Sequence, residues 1–392
     1  MCGVKSQIRI LIAAVALLGM TACTTTNATQ DEVRPQAAKQ PGSSTASNKA
    51  VGNSGETNSI TDVAGIEVGQ VQAKDEGALT GTTVVHTPDG LTTTGVDVRG
   101  GAPGTVETDL LDPQNSNPGA NAIVLSGGSA YGLASRNGVM RWLEEHEQGV
   151  SIGGGVVPIV PGAIIYDLGR GGDFGKRPGA RFGYDAIDQA EPGPVAQGTV
   201  GAGTGALAGG LKGGVGTASV KLENGTMVGA LVVVNAAGSV LGDDCSLLGS
   251  AFGLEGEFEG LQAPEKAECD AWKAASGESM NTTIAVVATD ANMEKAAAAK
   301  FASTAHDGMA RAVDPIHSLS DGDSVFAMAT GSGGKKLAVN DPESGQPLNQ
   351  IYAAGTTALT RAITHAMLEA ESVGEMKSYC DVFPSACDNL KN

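Results

Sequence analysis

A threonine that becomes the first residue of a chain carries its own base. In MNTTIAVVATD, Met280 to Asp290, a Gly/Ser/Glu-rich approach ends where Thr282 and Thr283 open a buried-looking strand. Cutting the bond between Asn281 and Thr282 would free an α-amine beside the Thr282 hydroxyl. Such an amine titrates near ~8 and can take a proton at neutral pH, which a Lys does only when desolvated. Taken alone, the stretch reads more readily as a turn followed by two β-branched strand residues, and the rest of the chain reverses that reading.

Other groups could complete such a site. Lys212 is a single cation in the Gly-rich run GTVGAGTGALAGGLKGGVGTAS, Gly198 to Ser219. Asn235 ends the apolar strand VGALVVVN, where an amide is costly unless paired, so it either donates to an oxyanion or caps the next turn. Asp321 and Asp323 precede a buried strand in SDGDSVFAMATG and could hold the Thr282 hydroxyl, its new ammonium group or Lys212. Tyr131, at the start of a helical pattern, offers a phenol to the site or simply packs. Ser129 in GGSAYG has the strand-turn-helix setting of a hydrolase nucleophile, but Tyr131 stands where that motif needs its second Gly, and no acid and His follow in order. The GAGTGA of Gly201 to Ala206 matches a dinucleotide fingerprint only weakly, since glycines fill the helix that should follow. Gly213 after Lys212 excludes a phosphate-binding loop, and the Asp pair lacks the Gly and Glu of a calcium-binding loop. The five histidines show no ligand spacing, so neither metal nor cofactor is expected.

Residues 1–22 carry Lys5 and Arg9, a short apolar run and small residues before Cys23, the form of an export signal. Cys23 is the expected lipidation site, and Thr24 after it suits the outer membrane; an ordinary secretory signal is the alternative. Residues 23–57 are Thr, Ser, Asn, Gln, Ala and Pro with few large apolar side chains, a flexible tether. Losing residues 1–22 removes two bases and no acid, taking the formal charge from −18 to −20. A chain so acidic, with no basic block, is unsuited to nucleic acid, and it meets the membrane only through its anchor. The expected location is the periplasm. There, Cys245, Cys269, Cys380 and Cys387 are an even set able to bridge, most simply as Cys245–Cys269 and Cys380–Cys387.

The elements that must position these residues follow from periodicity. Ile60 to Val71, Leu79 to His86 and Leu91 to Val98 read as antiparallel strands, and Asn121 to Leu125 as a buried strand running through SGGSAYG into a helix that ends near Glu147. Ala163 to Leu168 is a short strand. Ala218 to Glu223 and Thr226 to Asn235 form a hairpin about an Asn224-Gly225 turn. Asp243 to Ser279 is polar and aperiodic, an exposed processing loop. The Thr282 strand leads into a helix from Met293 to Ala312, then a strand from Ser324 to Thr330 and a helix from Gln350 to Ala370. Strands apolar on both faces, with helices enough for two outer layers, give a helix-sheet-sheet-helix sandwich, an α/β fold.

In this order, SGGSAYGL, AIIYDLGR, GAGTGALAGGLKGG, LVVVNAAG, MNTTIAVVATD and HSLSDGDSVFA resemble the DmpA-type aminopeptidase family, and most closely its nylon-oligomer hydrolase branch, over about Ser59 to Leu368. The resemblance implies a four-layer αββα sandwich of the N-terminal-nucleophile type, made as a precursor that cuts itself into a large chain (58–281) and a small chain (282–392). It makes Thr282 the nucleophile and Asn281 the residue attacked during processing, and puts Lys212, Asn235, Asp321, Asp323 and Tyr131 around them. It also implies small peptides or amino-acid oligomers as substrates and a homo-oligomer of processed heterodimers. Two alternatives are acyl transfer of the ornithine acetyltransferase type, disfavoured by the export signal, and a non-catalytic envelope lipoprotein.

Overall fold

Runs of Val and Thr broken by Gly and Asp turns form extended chain, and runs of Ala, Leu and Met at helical spacing form helices. The computed structural model describes residues 52–275 and 282–390. The chain runs through β1 (Glu67–Ala73), β2 (Thr80–His86), β3 (Thr93–Val98), β4 (Thr105–Val106) and β5 (Ala122–Ser126) to α1 (Ser135–Glu145). A small hairpin, β6 (Val150–Ile152) and β7 (Gly155–Val157), precedes β8 (Gly162–Ile164) and α2 (Ala180–Asp188). Next come a two-residue pair, β9 (Leu207–Ala208) and β10 (Leu211–Lys212), and the long hairpin β11 (Gly214–Lys221) and β12 (Met227–Val234). After α3 (Lys266–Ala275) follow β13 (Ile284–Thr289), α4 (Lys295–Ala312), β14 (Ser324–Ala329), α5 (Gly345–Leu368) and two short turns of helix, α6 (Tyr379–Val382) and α7 (Pro384–Cys387).

Ten strands make two five-stranded sheets, β1-β2-β5-β8-β4 and β11-β12-β13-β14-β3. Alternation along the strands builds three apolar layers. Val85, Ile123, Leu125, Leu231, Val233, Ile284, Val286 and Phe326 fill the space between the sheets. Ala230, Val232, Ala285 and Val287 point the other way, onto Phe301, Met309, Leu359 and Ile363 of α4 and α5. Val84, Ala122 and Val124 turn outward onto Val139 and Leu143 of α1 and Ala186 and Ile187 of α2. The result is the helix-sheet-sheet-helix sandwich expected from two-faced apolar strands. With aromatics at 4%, the layers close through small residues. A Cβ on Gly216 would lie 1.9 Å from the Ala362 carbonyl, so glycine there is what lets α5 rest on β11.

Several elements differ from the sequence expectations. Ile60–Asp62 is a single 3-10 turn, not the start of a strand. β3 leaves its sequence neighbours and pairs antiparallel with β14 in the other sheet, a long-range choice that local alternation does not encode. β11 starts at Gly214, inside the Gly-rich run and before the expected strand start at Ala218, because its glycines accommodate close backbone packing rather than turns. The β11–β12 connection is the five residues after Lys221, with Gly225 at φ +89°, a longer loop than a two-residue turn. The stretch from Asp243 is folded rather than loose as far as it is described. Cys245, Leu247, Leu254 and Phe258 are buried, and α3 closes it.

Disulfides join Cys245 to Cys269 and Cys380 to Cys387. Residues 52–57, assigned to the tether by composition, are held to the domain: Asn53 pairs with Lys221, and the Ser54 hydroxyl accepts from Arg361. That Arg361 side chain is fully buried on α5 and donates through two nitrogens to Glu257, and also to Asn58 Oδ1 and the Ser219 carbonyl. Burial pushes the Glu257 carboxyl up, but hydrogen bonds from His365 and Arg361 outweigh it and hold its pKa at about 2. Cys23, Asn281 and the export signal lie outside the described residues.

Candidate active site

Sheet register places Thr282. Val233 of β12 pairs with Ile284 of β13, which also pairs in parallel with Ser324 of β14. Two residues before Ile284, the Thr282 N–H meets the Asn235 carbonyl just past the end of β12, and its hydroxyl accepts the Gly322 N–H at 3.2 Å. Thr282 is 6% exposed. A side chain at Gly322 would crowd this site, since a Cβ would sit 2.9 Å from the Ala102 carbonyl oxygen, 3.0 Å from Thr282 Cγ2 and 3.1 Å from its hydroxyl oxygen. That explains the glycine between the two aspartates.

Asp321 and Asp323 are both buried and divide their work. Asp323 Oδ1 accepts the Thr283 N–H at 2.7 Å, and its Oδ2 takes the His317 N–H at 3.1 Å and His317 Nδ1 at 2.8 Å. Asp321 Oδ2 accepts the Ser318 N–H at 2.8 Å, while its Oδ1 is buried with no partner among the described residues. The loop Arg99–Ala102 is pinned to the backbone carbonyls of both acids. Asp323 thus fixes the residue after Thr282, and Asp321 keeps one oxygen without a partner among the described residues.

Asn235 is fixed by its oxygen. Oδ1 accepts the Leu207 N–H at 3.0 Å and the Arg170 guanidinium. Nδ2 is buried without a partner among the described residues. An unpaired buried donor is a costly feature to keep in a core, and an amide N–H of this kind has the chemistry to hold an oxyanion.

Lys212 is fully buried on β10, and its Nζ donates to the carbonyls of Gly203 at 2.9 Å and Gly213 at 2.5 Å. Burial, with the charges of Arg170 and Lys74 adding to it against the pull of Asp167, brings its pKa down to about 7. A neutral amine has two N–H groups and one lone pair. The two carbonyls take the N–H groups and leave the lone pair to accept a proton.

Tyr131 stands apart from this buried group. It is 54% exposed, with the Arg177 guanidinium 3.6 Å over its ring. Ser129 is half-buried at φ +51° at the head of a 3-10 turn. Sequence reasoning assigned no role to Asp167 and Arg170 of AIIYDLGR or to His317 of HSLSDGDSVFA. Asp167 is buried, accepts from Thr80 Oγ1 at 2.7 Å and the Gly128 N–H at 2.6 Å, and burial pushes its pKa up. The available signal was charge inside otherwise apolar or Gly-rich segments. Among the described residues, no group of three or more His, Cys, Asp or Glu is placed to hold a metal.

A buried, strand-opening threonine next to Asn235, whose amide nitrogen has no partner among the described residues, sits on an N-terminal-nucleophile hydrolase fold. The same fold recurs in a β-aminopeptidase from Burkholderia sp., with a TM-score of 0.63 at 22% identity over 87% of this chain and 97% of the other. It recurs also in the L-aminopeptidase D-Ala-esterase/amidase of Ochrobactrum anthropi, with a TM-score of 0.61 at 23% identity over 82% and 89%. The chain belongs to peptidase family S58, whose profile matches residues 58–379. It is 49% identical to an uncharacterized aminopeptidase of Mycobacterium leprae over 84% of this chain and 95% of that one. It is 30% identical to the 6-aminohexanoate-oligomer endohydrolase of Kocuria sp. over 74% and 82%. The protein is therefore an enzyme, an amide hydrolase of the aminopeptidase type.

Proposed function

We propose that the chain cuts its own Asn281–Thr282 bond and then hydrolyses the amide bonds of small peptides or amino-acid oligomers through an acyl-enzyme on Thr282. The observation that carries this is the Thr282 hydroxyl, buried at the head of β13 next to Asn235 with its unpaired Nδ2. In the precursor, Lys212 takes the hydroxyl proton as the oxygen attacks the Asn281 carbonyl. The C–N bond breaks, the proton passes to the departing Thr282 amine, and water hydrolyses the resulting ester to the Asn281 carboxylate.

In turnover, the freed α-amine is the base. Thr282 Oγ attacks the substrate carbonyl, Asn235 Nδ2 holds the oxyanion, and the proton goes to the leaving amine. Water then releases the acyl group. Asp323, through Thr283, and Asp321 keep the new terminus oriented, and Tyr131 lies on the rim where substrate passes.

Cys23 is proposed as the lipidated residue of a periplasmic, outer-membrane-anchored protein, with residues 1–22 removed. Labelling with a fatty-acid analogue should be lost in Cys23→Ala. The processed heterodimer is proposed to assemble with copies of itself, which light scattering would test.

The deciding experiment is intact mass with N-terminal sequencing. The wild type should yield a fragment of roughly 11 kDa, the share of residues 282–392 in 39.2 kDa, beginning Thr-Thr-Ile-Ala-Val. Thr282→Ala should remain one chain, and cleavage of that variant at Asn281 would falsify the mechanism.

A further inference from the structure

The Asn235 amide can donate to an oxyanion only if its nitrogen, not its oxygen, faces the reacting carbonyl. The two ends of a primary amide are almost equal in size, so packing alone does not choose between them. Hydrogen bonding does. Two donors converge on Oδ1, the Leu207 N–H and Arg170 Nη1, and a flipped amide would set an N–H group against both. Of the two, the guanidinium makes the charge-assisted bond, which is the stronger kind.

Arg170 is itself held for this task. The same Nη1 donates to the Gly205 carbonyl at 2.6 Å, and the Arg170 N–H donates to the Asp167 carbonyl at 3.2 Å. A Cβ on Gly205 would meet the Leu79 carbonyl oxygen at 2.3 Å and Asp167 Cβ at 2.7 Å, so only glycine brings this turn close enough. The guanidinium is largely buried, and burial lowers its pKa to about 10, against the pull of Asp167 and Tyr166. It stays charged at neutral pH.

We infer that Arg170 is a positioning residue for the oxyanion site, locking Asn235 with Nδ2 toward the substrate carbonyl and placing a fixed positive charge behind that amide. The inference rests on the proposed role of Asn235 in the Thr282 reaction. Arg170 does not touch the reacting atoms. Its charge strengthens the amide's dipole in the direction of the developing negative charge, an interaction made in the transition state more than with bound substrate.

The test is a double-mutant cycle on fully processed enzyme, Arg170→Met and Asn235→Ala singly and together. Turnover is followed on alanine p-nitroanilide or the linear 6-aminohexanoate dimer, whichever the wild type cleaves. Arg170→Met should lower kcat roughly 100-fold with KM changed by less than about threefold, the size of effect expected for a lost oxyanion donor. Arg170→Lys, which keeps the charge and a donor, should recover about tenfold of that loss. In the Asn235→Ala background, Arg170→Met should cost less than about threefold more, because both act through one amide. Unchanged kcat in Arg170→Met, or losses that multiply in the double variant, would overturn the inference. Should Arg170→Met fail to fold or process, the same cycle with Arg170→Lys decides it, less-than-multiplicative losses supporting it and multiplicative ones overturning it. Thr282→Ala is run alongside. If it retains turnover, the Thr282 mechanism fails; if it is inactive while Arg170→Met is normal, only the role of Arg170 fails.

Discussion

At the scale of residues, Lys212 makes the clearest quantitative demand. With its pKa at about 7, it is protonated below that value and a base above it. Self-cleavage of purified precursor, followed by mass, should therefore slow by about tenfold for each pH unit below 7 and level off above it. The same shift bears on stability. The folded pKa lies below the ordinary lysine value of 10.5, so between 7 and 10.5 the unfolded chain binds a proton that the native chain does not. Stability must then rise with pH across that window. Urea unfolding of wild type and Lys212→Met should converge or cross as pH rises from 7 to 10, wild type gaining on the variant; a constant gap would contradict the shift. Thr282, Asn235, Lys212 and the aspartates were legible because each is a polar side chain at the edge of an apolar or Gly-rich run. Arg170 was not, since its role depends on which end of an amide it faces, a property of three-dimensional placement.

At the scale of elements, the central strands were readable and the glycine-rich one was not. β13 is apolar on both faces, which marks a strand packed between two layers. β11 hides its strand character because Gly214 and Gly216 have no β-propensity and are selected by what lies over them. A polar helix such as α3 escaped notice for the opposite reason, having no strong apolar stripe to give it away. Gly216→Ala is the corresponding test. With the Ala362 carbonyl 1.9 Å from the new Cβ, α5 must move off β11, and the melting temperature should fall by the equivalent of about 1–3 kcal/mol. A variant with an unchanged melting temperature would show that α5 shifts freely. The pairing of β3 with β14 belongs to this scale too, since no local pattern carries a strand exchange between sheets.

For the whole molecule, Arg361 and Glu257 tie the first described residues, the segment before α3 and α5 into one unit. Glu257→Ala would leave a fully buried guanidinium without its carboxylate, and should cost about 3–5 kcal/mol in equilibrium unfolding. Because Glu257 titrates at about 2 in the fold against an ordinary value of 4.5, the stability it supplies is complete above 4.5 and is lost as pH falls toward 2. The disulfides have a different reach. Cys245–Cys269 lies wholly before Thr282 and Cys380–Cys387 wholly after it, so neither crosses the proposed cut. After cleavage, the small chain supplies β13 and β14, side by side, and the large chain supplies β12 and β3 on either flank. The large chain would then own three strands and the small chain two of a sheet that neither can finish. The proposed cut would convert a one-body folding problem into a two-body one: the cleaved enzyme should melt at a temperature that rises with its concentration and, once separated in denaturant, reassemble by second-order kinetics, whereas uncut Thr282→Ala should do neither.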